Sequence, residues 1–361
     1  MRCSIIPPYL LERLASLEDE RFATAAAAAR ASLELDAPFR GIRTGESPPP
    51  TTARRPSSLT ARPLGDPERT ISDAKNTQTL PGSVVRREGD PAAEDPAVNE
   101  AYDGLGDTHE LYRAVYERAS IDDNNLPLNA TVHYGDDYDN AFWDGERMVF
   151  GDGDEVVFTR MTRSVSVIGH ELTHGVTQYS ANLEYQGQSG ALNESVSDVF
   201  GVLVEQYAKK QSVTEATWLI GAGIFTDQVQ GDALRSLKAP GTAYDDDVLG
   251  KDPQPAHMDG YVDTDDDNGG VHLNSGIPNH AFYLVADAIG GNAWERAGQI
   301  WYDALTGGSL TATADFAAFA EVTAKAAAAR YGDDSDEHSA VIEGWDGVGI
   351  TVSASRVSRA G

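Results

Sequence analysis

Residues 165–178 have the sequence VSVIGHELTHGVTQ, and this stretch decides both the fold and the chemistry of the chain. Its apolar residues recur at helical spacing and no proline interrupts them, which predicts a helix. Residues four apart lie on one face of a helix, so His170 and His174 can present ring nitrogens to one metal ion. Glu171 lies beside them, placed to take a proton from a water that the metal activates.

A zinc site of this kind needs a third protein ligand, and Glu194 is the candidate. It lies in ALNESVSDVF, residues 191–200, far enough beyond His170 for the chain to turn and enter a second helix. Asp198 follows one helical turn later, where its carboxylate can accept the free N–H of a zinc-bound imidazole and fix its tautomer. The alternative is that both carboxylates are exposed helix charges, but the flanking valines and phenylalanine predict a packed helix.

A second polar cluster, DTDDDNGGVHLNSG, occupies residues 263–276. Its glycine pair places His272 on a loop just before a helix, from which it can reach a cleft. A protonated His272 oriented by Asp267 would suit the stabilisation of an oxyanion. The alternative is a solvated loop histidine, which spacing alone does not exclude. The acidic runs 245–247 and 263–267 are either solvated surface or calcium ligands.

The charge and the cysteine content of the chain exclude several classes of partner and site. The 361 residues carry a formal net charge of −29, and all of the excess acid lies after residue 75. Such a surface argues against nucleic acid or an anionic membrane as a partner. A single cysteine, Cys3, excludes a disulfide framework and a cysteine-based zinc site.

The hydropathy and the first residues of the sequence indicate the cellular compartment to expect. No apolar run is long enough to span a membrane, and the first residues lack the pattern of a secretory signal. We therefore expect a cytoplasmic protein by default, with leaderless export to the extracellular space as the alternative.

Three zones follow one another along the chain. Helix-forming residues predict a helix over 9–36, and a stretch rich in Pro, Ser and Arg over 44–70 predicts an exposed linker. Short strands at 130–134 and 147–150 follow, and helical patterns dominate from residue 164 onward. We predict an α+β fold in which a sheet-rich N-terminal lobe and a helical C-terminal lobe enclose a cleft. The chain is thus divided into an N-terminal helical segment, 1–43, a linker, 44–75, and the two lobes. The N-terminal lobe, 76–180, includes the helix with His170 and His174, and the C-terminal lobe is 181–361.

In their order and spacing, these motifs resemble the thermolysin family of zinc peptidases over about residues 105–350. The segment NAFWDG at 140–145, Tyr185, Arg235 and the NGGVH loop at 268–272 add to the likeness. The resemblance implies a two-lobed thermolysin-like fold with one catalytic zinc ion. It also implies hydrolysis of peptide or protein substrates on the amino side of bulky apolar residues.

The resemblance further implies a role for each matched residue. The zinc ligands would be His170, His174 and Glu194, with Asp198 holding a ligand histidine. The residues acting on the reacting atoms would be Glu171 as general base and Tyr185 and His272 at the oxyanion, with Asp267 orienting His272. The groups holding the substrate main chain would be Asn140, the backbone of Ala141, and Arg235. The pocket after the scissile bond would be lined by Phe158, Met161, Val167 and Leu234.

The chain departs from the family pattern at the paired calcium site. Ser166 stands where the family has an acidic residue, and residues 211–217, QSVTEAT, replace a cluster of acids. Only Glu205 of that site is retained. Calcium requires six to eight oxygen ligands, mostly carboxylates, so we expect the paired site to be absent.

The N-terminus resembles the short propeptides of protealysin-like members of the family. This resemblance implies that 1–43 is an inhibitory propeptide, that 44–75 is a processing linker, and that the chain is an autoprocessed zymogen. We expect the cut before Leu59 or Ile71, where an apolar residue follows the bond and suits the enzyme's own pocket. The residues that block the leaving-group side of the cleft would be Ile6, Pro7, Pro8 and Tyr9. The alternative is a disordered tail with a packing helix. Cys3 reaching the zinc as a thiolate is a further hypothesis.

Two other functions remain open from the residues alone: a zinc hydrolase of a non-peptide substrate, and an inactive relative that only binds peptides. Loss of Glu171 would mark the inactive relative, so the presence of Glu171, Tyr185 and His272 favours an enzyme. Asn140 and Arg235 suit an extended peptide backbone and favour a peptidase.

Overall fold

The computed structural model describes residues 3–41 and 64–352, and within these ranges the chain forms ten α-helices and ten β-strands. The helices are α1 Pro8–Ala15, α2 Ala23–Gly41, α3 Pro96–Tyr116, α4 Val165–Gln178, α5 Gly187–Lys209, α6 Asp267–Asn274, α7 Gly276–Ile289, α8 Ala297–Thr306, α9 Phe316–Tyr331 and α10 Asp336–Asp346. The strands are β1 Cys3–Ser4, β2 Arg69–Thr77, β3 Ser83–Arg87, β4 Leu128–Tyr134, β5 Ala141–Trp143, β6 Met148–Phe150, β7 Leu219–Ile220, β8 Arg235–Ser236, β9 Asp245–Asp246 and β10 Gly250–Lys251. The predicted α+β fold is confirmed, since the main sheet precedes residue 151 and helices dominate after it.

A six-stranded sheet forms the framework of the N-terminal lobe, in the order β1-β5-β6-β4-β2-β3. β4 runs parallel to its neighbours β2 and β6, and the other pairs are antiparallel. β1 comes from the start of the chain and lies at one edge, where Cys3 pairs with Trp143 and Ser4 with Phe142. The N-terminus therefore covers the hydrogen-bonding edge that β5 would otherwise present to solvent.

Helices α4 and α5 approach each other more closely than side chains ordinarily allow. A Cβ atom on Gly201 of α5 would lie 2.6 Å from the carbonyl oxygen of Ser166 in α4, and one on Gly169 would lie 3.1 Å from Val204. A glycine on each helix therefore permits the contact. All residues of α4 from Ser166 to Thr177 are buried, so the polar side chains of this helix lie away from bulk water.

The helical zone at the N-terminus is two helices and not the single helix predicted over 9–36. α1 ends at Ala15, and the side chain of Asp19 then accepts a hydrogen bond from the Arg21 amide at 2.9 Å. This contact caps a short 3₁₀ turn from which α2 begins. A capping aspartate lets the chain change direction between two helices, and α1 and α2 pack against each other.

The predicted processing linker, 44–75, is too long at its C-terminal end. Its last residues belong to β2, which pairs with both β3 and β4 inside the main sheet. Ile71 is 0% exposed there, so the predicted cut before Ile71 is wrong, because proteolysis needs an accessible chain. The other predicted cut, before Leu59, lies outside the described residues.

His133 of β4 joins three segments of the N-terminal lobe. Its Nδ1 lies 2.7 Å from Asp152 Oδ2, and its Nε2 lies 2.7 Å from Asp95 Oδ2. Asp95 also caps α3 by accepting a hydrogen bond from the Ala97 amide at 2.8 Å. The hydrogen bond with Asp152, supported by Asp95 against the opposing effect of burial, raises the pKa of His133 to about 9.

We expect His133→Ala to destabilise the protein more at low pH than at high pH. A folded-state pKa raised above the unfolded value of 6.5 stabilises the fold fully below that pH, and the stabilisation is lost as the pH rises through about 9. The free energy of unfolding should fall by about 1–2 kcal/mol at pH 6, and the difference should shrink at higher pH.

Thermal unfolding of the variant across this pH range, in a Glu171→Ala background, checks the His133 prediction. His257→Ala serves as the control, because the carboxylate beside His257 belongs to Asp259, whose side chain is 95% exposed. A difference for His133→Ala that does not change with pH would contradict the prediction.

Candidate active site

Three side chains from α4 and α5 meet with their polar atoms in one small volume. The Nε2 atoms of His170 and His174 lie 3.0 Å apart. Glu194 Oε2 lies 3.5 Å from the first, and Glu194 Oε1 lies 3.5 Å from the second. All three side chains are fully buried, and the close contact of α4 with α5 is what joins the histidine pair to the carboxylate.

The donor set fits one zinc ion. Ligand atoms at about 2.0–2.1 Å from a tetrahedral ion lie about 3.3 Å from one another, close to the observed separations. Glu194 Oε2 is buried and accepts no hydrogen bond. A cation beside this oxygen, either a metal ion or the charged His272 ring at 3.6 Å, offsets the cost of its burial. Among the residues that the structure describes, this is the one group of three or more such side chains suited to a metal.

The protonation states of the cluster suit metal ligands as well. Burial lowers the pKa of His174 to about 3. Burial alone would raise the pKa of Glu194, but the charged neighbours, His272 foremost, outweigh it and lower that pKa to about 2. A neutral imidazole and an ionised carboxylate are the forms that bind a metal.

Each ligand histidine is held through its other ring nitrogen. His170 Nδ1 lies 2.8 Å from Asp198 Oδ1, the contact that the sequence predicted. His174 Nδ1 lies 2.8 Å from Asn193 Oδ1 and 3.0 Å from Ser197 Oγ. These contacts fix the rings so that both Nε2 atoms face Glu194. Asn193 and Ser197 flank Glu194 within the motif, but the sequence pattern predicted no role for either residue.

Arg235 neutralises the carboxylate that holds His170. Its Nε and Nη2 donate to the two oxygens of Asp198 at 2.9 and 2.8 Å, and Asn279 Nδ2 donates to Oδ2 at 2.8 Å. Burial alone would raise the pKa of Asp198, but the Arg235 guanidinium and the His170 ring hold it well below its usual range. This network ties α5, α7 and β8 to the metal cluster.

Glu171 lies next to the cluster with its carboxylate buried. The backbone amide of Trp143 in β5 donates to Glu171 Oε2 at 3.0 Å. The edge of the main sheet therefore orients this carboxylate, while the helix that carries it also carries the two histidines.

His272 reaches the cluster from a sharp turn at the start of α6. Asn268, Gly269 and Gly270 have positive φ values of 53°, 82° and 70°, and this turn brings His272 back over Asp267. His272 Nδ1 lies 2.7 Å from Asp267 Oδ1, and the His272 amide donates to Oδ2 at 2.8 Å. Burial opposes the charged ring, but Asp267 and Glu194 outweigh it and raise the pKa of His272.

Tyr185 lies between His272 and the metal cluster. Its hydroxyl donates to Glu194 Oε1 and lies 3.3 Å from His272 Nε2. The predicted pair of Tyr185 and His272 is therefore brought together at one side of the three candidate ligands.

The start of the chain lies across these residues as an extended strand. We call residues 3–6 the cleft segment. The Ser4 carbonyl oxygen lies 3.1 Å from His272 Nε2, and Arg235 Nη1 donates to the Ile5 carbonyl at 3.0 Å. The Ile5 amide donates to the Ala141 carbonyl at 3.1 Å.

Asn140 holds the last residue of the cleft segment. Its Oδ1 accepts a hydrogen bond from the Ile6 amide at 2.9 Å, and its Nδ2 lies 3.5 Å from the Ile6 carbonyl oxygen. The three groups predicted to hold a substrate main chain, Asn140, Ala141 and Arg235, thus all contact the backbone of the chain's own N-terminus.

The predicted blocking residues, Ile6 to Tyr9, are divided between the cleft segment and α1. Of these four residues, only Ile6 belongs to the cleft segment; Pro7 is the N-cap of α1, and Pro8 and Tyr9 form its first turn. Proline is favoured at the first position of a helix, because its missing amide would have no partner there. Residues 3–6 lie extended along the cleft and Pro7 is buried, and the blocking role of Pro7, Pro8 and Tyr9 stays a prediction. The side chain of Cys3, and with it the hypothesis of a thiolate on the zinc, lies outside the described residues.

α2 supports the cleft segment from behind, a contact that the sequence did not predict. The Asp139 amide donates to Ser32 Oγ at 2.9 Å. Asp36 accepts hydrogen bonds from Tyr138 Oη at 2.6 Å and from Asn140 Nδ2 at 2.8 Å. Because Asp36 engages the amide group of Asn140, the carbonyl group of that side chain is turned toward Ile6.

The four predicted pocket residues share one environment. Each is apolar and at most 1% exposed, and each belongs to the main hydrophobic core of the protein, as do Ile5 and Ile6. They are Phe158, Met161, Val167 and Leu234.

Ser166 and Glu205 stand at positions of the family's paired calcium site, and both contact other protein groups in this structure. Ser166 Oγ lies 3.0 Å from Ser164 Oγ and accepts a hydrogen bond from the Gly221 amide at 3.1 Å. Glu205 forms an ion pair with Lys209. The absence of the paired calcium site stays a prediction.

Two family models match the chain over most of its length. The model described as thermolysin metallopeptidase, catalytic domain, matches residues 60–178. The model described as thermolysin metallopeptidase, alpha-helical domain, matches residues 181–350.

Curated proteins and a solved structure agree with these matches. The chain is 48% identical to an extracellular metalloprotease of Pectobacterium carotovorum subsp. carotovorum, over 97% of each chain. It is 51% identical to protease PrtS of Photorhabdus sp. (strain Az29), over 79% of this chain and 76% of that protein. The structure of the precursor of protealysin, a metalloproteinase from Serratia proteamaculans, is similar with a TM-score of 0.86 and 47% identity, covering 97% of this chain and 100% of that one.

We expect Asn193→Ala to weaken metal binding by about tenfold, the lower end of the range for such a change, because Ser197 still contacts His174. The variant removes the oxygen that fixes the His174 tautomer. Competition with a chromophoric zinc chelator, in the full chain carrying Glu171→Ala, measures the affinity. The exposed Asn124→Ala is the control, and equal zinc affinity in both variants would contradict the role of Asn193.

Proposed function

The chain belongs to the thermolysin family of metallopeptidases, and we propose that it is a zinc-dependent endopeptidase made as an autoprocessed zymogen. One observation carries the proposal: an extended stretch of the chain's own backbone lies along the side chains that flank the candidate metal cluster. A groove that holds a main chain by its amides and carbonyls suits a peptide and not a compact non-peptide substrate.

In this proposal, the zinc ligands are His170, His174 and Glu194. A bound zinc ion would supply a Lewis acid for the scissile carbonyl and would lower the pKa of water. The support is the donor set, its spacing, and the buried Glu194 oxygen that accepts no hydrogen bond. The contacts of Asp198 and Asn193 with the two rings then act to orient the ligands.

Glu171 is the proposed general base. It takes a proton from the attacking water as the water oxygen adds to the carbonyl carbon and the carbonyl oxygen becomes an oxyanion. It then gives that proton to the amide nitrogen, and the C–N bond breaks as the carbonyl re-forms. Its position next to the ligand pair on α4, and its hydrogen bond from the Trp143 amide, support this role.

Tyr185 and His272 are the proposed donors to the oxyanion. Asp267 holds His272 and favours its charged form, in which Nε2 carries a proton to donate. The Ser4 carbonyl oxygen at 3.1 Å supports the assignment, because a main-chain carbonyl can lie within reach of this ring.

The contacts of the cleft segment set the register of a substrate. The Ser4 carbonyl stands where the scissile carbonyl would lie, and Ile5 stands for the residue after the bond. Ile5 is 0% exposed, and the four predicted pocket residues belong with it to the main hydrophobic core. We therefore propose a preference for a bulky apolar residue after the scissile bond.

The N-terminal part of the chain is the proposed inhibitor of the same site. Residues 3–6 engage Asn140, Arg235 and His272, the residues that a substrate would use. The similarity to a solved precursor, which covers 97% of this chain, supports the zymogen. An inhibitor that is part of the chain acts at high effective concentration until the linker is cut.

We also propose that the enzyme acts outside the cell. The support is the name of the relative from Pectobacterium, an extracellular metalloprotease. No helix among the residues that the structure describes is long and apolar enough to cross a membrane.

We expect Glu171→Ala to abolish peptide hydrolysis while retaining about one zinc ion per chain, because the change removes the base and no ligand. His174→Ala should lose both the activity and the metal. Casein digestion with and without a zinc chelator, together with elemental analysis, measures both properties, and the exposed Glu184→Ala is the matched control. Normal turnover by Glu171→Ala, or complete loss of its metal, would overturn the assigned roles.

We expect the double variant Ile5→Ala with Ile6→Ala to convert from precursor to mature enzyme at least roughly tenfold faster than the wild type. Replacing a buried isoleucine by alanine costs about 2–5 kcal/mol, so the cleft segment would bind more weakly. A time course of conversion measures the rate, with the exposed Glu18→Ala as control. Equal conversion rates in the variant and the wild type would contradict the inhibitory role and would indicate that the N-terminal residues only assist folding.

A further inference from the structure

Arg13 of α1 contacts the C-terminal lobe at a place remote from the metal ligands in sequence. Its Nε donates to the Val248 carbonyl at 2.9 Å, and its Nη2 donates to the Asp247 carbonyl at 2.7 Å. Both carbonyls belong to the turn between β9 and β10. A recess of about 310 Å³ lies here, lined by Arg13, Gln230, residues 245–247, Gly250 and Lys251.

The turn keeps its shape through contacts that do not involve Arg13. Asp246 Oδ1 accepts hydrogen bonds from the amides of Val248 and Leu249 at 2.7 and 3.1 Å. Asp246 Oδ2 accepts one from the Gln230 amide at 3.0 Å. The carbonyls of residues 247 and 248 are therefore held in position before any guanidinium arrives, which lowers the cost of binding one.

The site is shaped for arginine and not for lysine. Two successive carbonyls receive two different nitrogens of one planar fork, which the single ammonium of lysine does not reproduce. Gly250 has a φ of +81°, and a Cβ atom there would lie 2.9 Å from Arg13 Nε. The side chain of Arg13 thus lies over a residue that has no side chain, beside a run of three aspartates.

We propose that the turn between β9 and β10 is an arginine-binding subsite outside the metal cleft, filled by Arg13 in this structure. It is a second attachment point for the N-terminal segment, in addition to residues 3–6. When that segment leaves, the subsite receives an arginine side chain of another peptide. The last step rests on the proposed function, in which the segment is released on activation.

The first test asks whether the subsite binds a guanidinium group when Arg13 is absent. It uses the full chain with Glu171→Ala and Arg13→Ala, titrated with ethylguanidinium or with ethylammonium. We expect saturable shifts of the Val248 and Gly250 amide resonances with ethylguanidinium alone, and no shift with either probe when Arg13 is present. Adding Gly250→Ala should abolish the response. Equal responses to the two probes, a response with Arg13 in place, or no response at all would overturn the subsite.

The second test measures conversion of the active full chain. Arg13→Ala and Arg13→Lys should both speed conversion by roughly tenfold, because each removes charged hydrogen bonds that hold the segment. Glu12→Ala, an exposed neighbour on α1, is the control and should leave the rate unchanged. Unchanged conversion in both Arg13 variants would overturn the attachment role. A wild-type chain that neither converts nor cleaves peptides would instead contradict the proposed function, and the probe titration would still decide the subsite.

Discussion

The close contact between α4 and α5 is the constraint on which the rest of the site depends. Gly169 and Gly201 remove side chains where the two helices meet, so the carboxylate of Glu194 reaches the imidazoles of His170 and His174. A larger residue at Gly201 would meet the Ser166 carbonyl oxygen at 2.6 Å, so the helices would have to separate and the third ligand would move away. The same contact buries the ligands completely, which strengthens every electrostatic interaction among them.

Burying so many charged groups requires that each be matched. Arg235 neutralises Asp198 through Nε and Nη2, and Asp198 in turn holds His170. The third nitrogen of Arg235, Nη1, donates to the Ile5 carbonyl. One guanidinium therefore helps to orient the candidate ligand His170 and also binds a peptide main chain. Replacing Arg235 would remove its contacts with both Asp198 and the peptide carbonyl. It would also destabilise the fold, because a buried carboxylate that loses its cation is costly.

The sheet explains how one groove serves both an inhibitor and a substrate. β5 is an edge strand once β1 is removed, and an exposed edge accepts any extended chain through its amides and carbonyls. The cleft segment uses this edge. α2 supports it through Asp36, which contacts the groove residue Asn140, and α1 fastens it through Arg13 at the turn between β9 and β10. The N-terminal segment is thus held partly by interactions that a short substrate lacks.

The sequence by itself determined the features that depend on short spacing. Two histidines one helical turn apart, Asp198 one turn after Glu194, and Asp267 close before His272 follow from local geometry, and the structure brings them together. Only the tertiary structure decided that residues 3–6 lie in the cleft, that the linker ends before β2, and that α2 contacts Asn140. Those contacts join segments more than a hundred residues apart or depend on pairing within a sheet, so no local pattern records them.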